Sequence, residues 1–275
     1  MSRRAAVIAA ASAYAAAKRA VGDDRLAARC ATVRNYRGTP VSLRGGPAAA
    51  AGVLTGSVAA GIAGPAHLRV TAAASVATTA AATAGWYDDT RAERTVRAKG
   101  LRGHLGALRT GTLTTGAVKL AVLAAGGHAS ARLLGRGRVD ALLSGALVAG
   151  TANLVNLLDL RPGRAAKATI AAGLLVALGG GHGAGVAGAA AGAALADLGP
   201  DLAEESMLGD TGSNALGAAL GVALAAGRFR VVRLAALGAV SGLTIASERV
   251  SFSSVIDGSP ALRRVDAWGR RAAAE

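Results

Sequence analysis

Bulky aromatic side chains are almost missing from this chain. Phe, Trp and Tyr make up 3% of its 275 residues, so a conventional soluble core of this size would lack its usual large fillers. Charge is scarce as well, at 17%, against roughly 25% in soluble domains. A single cysteine, Cys30, excludes an internal disulfide. Residues 5–17 are apolar, but Lys18 and Arg19 follow where a signal-peptide cleavage site should stand, so no cleavable leader is expected. What fills the chain instead is alanine and glycine, with mean hydropathy +0.40. Small residues of that kind let helix backbones approach closely in lipid.

The net charge of +15 fits either nucleic-acid binding or a membrane protein with basic loops. Spacing favours the second, and no nucleic-acid partner is expected: the charges cluster between long uncharged runs rather than forming one stripe. No sustained alternation points to strands. The runs predict an all-α polytopic bundle of about nine transmembrane helices (eight to ten), at roughly 3–20, 47–64, 68–87, 110–128, 139–158, 166–180, 183–198, 212–228 and 231–247. Residues 1–247 form the membrane domain. Residues 248–275, apolar side chains among five arginines, read as a cytoplasmic amphipathic segment lying in the interface.

With the N-terminus outside, the loops at 21–46, 88–109, 159–167, 199–211 and 248–275 face the cytoplasm and carry most of the loop Lys and Arg. Acids gather on the same face, among them Asp88, Asp89, Asp159, Asp201, Glu204 and Asp210. Asp140 is the one clear acid opposite. Acids do not govern topology, so a shared polar site is the expected cause. In "MLGDTGSNALG", Asp210 sits among glycines and hydroxyls just before a helix. Its carboxylate suits a hard cation, and the turn formed by Gly209, Thr211, Gly212 and Ser213 suits phosphate oxygens. In "GWYDDTRAERTVRAKG", Asp88 and Asp89 end an apolar run and would repel each other unless a cation lay between them and a phosphate. Lys99 follows among arginines as a candidate phosphate ligand. Lys119, inside an apolar run, is expected to face a phosphate or carboxylate. "NLVNLLDLRPG" adds Asn156 and Asp159 at the end of another span.

In this order and on one face, "DD", "NLVNLLD" and "GDTGS" resemble the polyprenyl-phosphate N-acetylhexosamine-1-phosphate transferase family, of the glycosyltransferase family 4 type. The resemblance runs from about Arg34 to Gly217. It implies a multi-pass plasma-membrane enzyme of bacterial cell-wall or surface-polymer synthesis. Such an enzyme moves a sugar-1-phosphate from a UDP-sugar to a polyprenyl phosphate lipid at the cytoplasmic face and releases UMP. It also implies Mg²⁺, or Mn²⁺ in its place. On this reading Asp88, Asp89 and Asp210 are catalytic, Asp210 and Asp88 hold the metal, and Asn156, Asp159, Lys99, Lys119, Gly209, Thr211, Gly212 and Ser213 bind substrate. A homodimer is left open. The chain departs from the pattern at Pro162, where a second aspartate belongs, in the loop "PVSLRGG", and in having no histidine in 248–275. These departures leave a second reading: an altered relative that binds polyprenyl lipids as a scaffold in envelope assembly.

Overall fold

The computed structural model describes residues 2–62, 65–91, 103, 106–107, 109 and 111–271. The fold is mostly helical. The long helices are α1 (Ser2–Val21), α3 (Gly45–Gly61), α4 (Pro65–Arg91), α5 (Thr115–Leu133), α6 (Arg138–Leu158), α7 (Arg164–Gly179), α8 (Ala184–Leu202), α9 (Gly209–Ala225) and α10 (Arg230–Ser247). The short ones are α2 (Asp24–Arg29), α11 (Phe252–Asp257) and α12 (Pro260–Ala267). Each of the nine expected spans overlaps a long helix. The largest difference in start is at α5, expected from residue 110 and beginning at 115. Thr114 sets that boundary, because its hydroxyl accepts the Ala117 N–H (3.2 Å) and caps the helix.

Among the described residues two helices, α6 and α10, are long and apolar enough to cross a membrane by length and composition. Of the remaining long helices, α3, α7 and α9 are shorter, at 17, 16 and 17 residues. Strand, not expected from the sequence, appears once among the described residues. A small antiparallel hairpin pairs β1 (Thr32–Arg34) with β2 (Pro40–Ser42), too short to leave an alternating pattern.

Helix α9 is the axis of the bundle. It is buried along nearly its whole length and packs on α3, α4, α6 and α8. Helix α1 lies in a groove between α3 and α8, and α10 packs on α6. The packing inverts the usual sorting of size. The buried residues are mostly alanine, whereas large aliphatic side chains point outward: Ile62, Val231 and Leu175 are 84%, 78% and 73% exposed. Glycines make the close approaches possible. A Cβ on Gly188 or Gly192 of α8 would run into the carbonyls of Ala6 and Ala10 on α1.

The C-terminal segment differs from the single interfacial helix expected. Pro260 opens a new helix after Gly258 and Ser259, giving two short pieces. They dock on the start of α7. Arg164, 6% exposed, donates from Nε and Nη2 to the two Asp266 carboxylate oxygens (2.8 and 3.0 Å). Lys167 donates to the carbonyls of Val265, Asp266 and Trp268.

Candidate functional site

The sequence-predicted acids meet at one end of the bundle because α4 can touch the start of α9. Gly85 allows it: a Cβ there would collide with the Asp210 backbone. One turn later α4 presents Asp88 and Asp89, and the two diverge.

Asp89 reaches the first turn of α9, a helix with no side-chain cap of its own. The carboxylate accepts the Asp210 N–H (3.0 Å), the Thr211 N–H (2.9 Å) and the Thr211 hydroxyl (2.6 Å). It therefore caps α9 from another helix, where the dipole favours an anion. Gly209, at φ +57°, shapes the entry; a Cβ there would meet both Asp89 oxygens at 3.1 Å. Burial outweighs the three donors and keeps the Asp89 carboxyl above its usual range. This arrangement differs from the sequence expectation: the Asp210 and Thr211 N–H groups assigned to phosphate are taken by Asp89. Gly212 is packed too, its Cα side against Gly46 and Leu208.

Asp88 turns the other way. Lys119, from within α5, donates to Asp88 Oδ2 (3.0 Å) and makes a short bond to Asp210 Oδ2. Burial opposes the Asp88 charge, but hydrogen bonds from the Asp210 carboxyl and Thr115, with the Lys119 charge, hold its pKa down to about 2. Burial pushes Asp210 up to about 7, against Lys119 and with the help of Asp88 and Asp89. Of the pair, Asp210 is therefore the one that titrates near neutral pH, while Asp88 stays ionised.

Asn156 and Ser213 join α6 to α9, the Ser213 hydroxyl donating to Asn156 Oδ1 (2.8 Å) and to the Gly209 carbonyl (2.6 Å). Asp159 ends α6. Burial raises its pKa well above the usual range, and Asp201, Asp197, Asp210 and Asp89 add to the rise. It opens onto a cavity of about 50 Å³ lined also by Tyr36, Arg161, Pro162, Asp201 and Met207. The Arg161 guanidinium lies 4.4 Å from the centre of the Tyr36 ring. The Gly163 N–H donates to Asp201 Oδ2 (2.7 Å), and Arg270 donates to the Pro162 carbonyl (2.8 Å), so both sides of this loop are tied down. Asp201 brings a carboxylate beside Pro162, where the motif lacks one.

Asp197 was passed over by sequence reasoning, and Asp201 was placed on this face without a role. Asp197 is fully buried against the start of α3, without a hydrogen-bond partner among the described residues. The signal for it was an acid directly after an otherwise uncharged run. Lys99, with Arg94, Arg97 and Arg102, lies outside the described residues.

Among the described residues no group of three or more His, Cys, Asp or Glu side chains is arranged around a metal position. The donor chemistry nevertheless fits Mg²⁺, which is commonly held by one or two carboxylates plus water and substrate phosphates. Asp88 and Asp210 already share one cation, the Lys119 ammonium.

No protein-family model and no curated protein matches this chain. The family resemblance therefore rests on the motifs and on where the fold puts them.

Proposed function

We propose that the protein is a polytopic membrane transferase with nine crossings, which moves a sugar-1-phosphate from a UDP-sugar to polyprenyl phosphate at the end of the bundle bearing Asp88 and Asp210. The observation that carries this reading is the convergence of Asp88, Asp210 and Lys119 from three helices far apart in sequence, at the mouth of an apolar bundle. The outward-facing Leu, Ile and Val side chains around an alanine interior support immersion in lipid. The acids and most loop arginines at the same end support a cytoplasmic site.

In the reaction, a non-bridging oxygen of polyprenyl phosphate attacks the β-phosphorus of the UDP-sugar. A new P–O bond forms, the bond to the α,β-bridging oxygen breaks, and UMP leaves with that electron pair. Asp88 and Asp210 would hold Mg²⁺, which would supply charge neutralisation for the phosphates. Lys119 adds a positive charge fixed between the two carboxylates. Asp89 orients Asp210 by gripping its backbone N–H. Most of the rate enhancement is alignment and charge neutralisation, as in other phosphoryl transfers.

The test is purified protein with polyprenyl phosphate, Mg²⁺ and a panel of UDP-sugars, read by UMP release. Release with one or more sugars is expected. Tight polyprenyl phosphate binding with no UMP from any sugar would leave the scaffold reading in its place.

A further inference from the structure

The end of the bundle remote from the acids holds the largest cavity described here, about 590 Å³, lined by Arg69, Val70, Leu134, Arg136, His182, Ala226 and Arg228. Its walls come from the start of α4 and from the connections α5–α6, α7–α8 and α9–α10. Arg69 and Asp88 sit on the same helix 19 residues apart, which is about 28 Å at 1.5 Å per residue, close to the thickness of a bilayer's hydrocarbon core.

No acidic side chain lines this cavity. The nearby carboxylate, Asp140, is engaged by Arg233 (2.6 Å) and Arg230 (3.8 Å). Arg136 is fixed in place, donating from Nη2 to the carbonyls of Ala225 (2.7 Å) and Gly227 (3.1 Å) at the end of α9. Its Nε is buried without a partner among the described residues. Arg69 and Arg228 are exposed, and among the described residues neither has a carboxylate within ion-pair distance. Arg228 lies over the Phe229 ring (4.8 Å), which limits its freedom. Under the orientation proposed above, this end faces away from the cytoplasm, where the positive-inside trend disfavours arginine. The positive-inside trend therefore does not account for these arginines.

We propose that this cavity is an anion site, in which Arg69, Arg136 and Arg228 receive a phosphate or diphosphate group. Guanidinium forks match phosphate oxygens in pairs, and three of them converging on one cavity neutralise a doubly charged group. The volume is in the range of small-molecule sites and leaves room for whatever carries the phosphate. Two sources share that chemistry: an anionic lipid headgroup reaching in from the membrane, and a free diphosphate.

Two measurements on the full chain separate these sources. The first is calorimetric titration with inorganic diphosphate in detergent, without divalent cations, so that the acidic end cannot bind it. The second is native mass spectrometry of lipid retained after reconstitution in phosphatidylcholine with phosphatidylglycerol. The variant is Arg69→Gln/Arg228→Gln, with Arg228→Gln alone as a milder change in an exposed connection. Wild type is expected to bind at least one of the two, about tenfold more tightly than the double variant, since two charge-assisted contacts are lost. Loss confined to diphosphate identifies a soluble anion; loss confined to phosphatidylglycerol identifies a headgroup. The proposal is overturned if wild type binds neither, or if both variants bind both as wild type does. Neither readout involves UMP, so this outcome is separable from that of the proposed transferase activity.

Discussion

Asp201 lies 3% exposed beside Asp159 and Asp197, and burial lifts its pKa from 3.8 to about 7. The Gly163 N–H, Arg270 and Lys167 pull it down, and Glu204 pushes it up. The folded pKa stands above the unfolded one, so between about pH 4 and 7 the folded chain keeps a proton that the unfolded chain has released. Stability is therefore complete below about pH 4 and is lost as pH rises through 7. A rise from 3.8 to about 7 corresponds to about 4 kcal/mol, at about 1.4 kcal/mol per pH unit. Asp201→Asn removes this loss and keeps an acceptor for Gly163. In detergent, the variant's melting temperature should match wild type near pH 4, and its advantage should grow from there to a maximum by pH 8.5. The upper bound on the gain is on the order of 10 °C for a chain of this size. A melting difference that stays constant from pH 5 to 8.5, or a wild type more stable than the variant at pH 8.5, would refute the assignment of a buried, uncompensated charge.

Asp210→Asn should abolish UMP release and its Mg²⁺ dependence while the protein still folds; near-native release at low Mg²⁺ would remove Asp210 from the metal site. The adjacent aspartates should separate: Asp88→Asn cuts turnover about a hundredfold and lowers melting modestly through the lost Lys119 pair, whereas Asp89→Ala leaves chemistry less affected but strands two N–H groups and a hydroxyl and costs about 1–3 kcal/mol in a melting assay. Arg164→Ala leaves Asp266 buried beside fewer donors, should cost about 3–5 kcal/mol, and should expose residues 252–271 to limited proteolysis that wild type resists. In a Cys30→Ser background, Gly137→Cys should react with an impermeant maleimide from outside intact cells, and Ser259→Cys only after permeabilisation; the reverse pattern would invert the proposed orientation.

The helices were readable in the sequence because charge, not hydropathy, punctuates it. Each expected span became a helix, with boundaries shifted by up to five residues, at the start of α5 because Thr114 caps it there. Lys119 was legible as a charge in need of a partner, since an ammonium in an apolar run has few other reasons to be there. The division of labour between Asp88 and Asp89 was not legible. It depends on the rotation of α4 against α9, which the collision point at Gly85 fixes and no local pattern encodes. Nor was the role of Asp201, whose partner Gly163 lies 38 positions away across a loop closed by the C-terminal segment. The three-residue strands of the hairpin escaped for a simpler reason: period-two alternation needs more residues than they have.

The groove that receives α1 has a consequence for how the chain is made. Ala6 and Ala10 meet Gly188 and Gly192, about 180 residues later in the chain. At roughly 5–20 residues per second, α1 emerges roughly 10–40 s before the surface it fits exists. During that interval its alanine face has at most α3 to lean on. The close glycine contacts act as a late latch: the newborn chain stays open along this seam until α8 arrives, and a ribosome stalled before residue 188 leaves α1 as the segment most available to quality-control proteases.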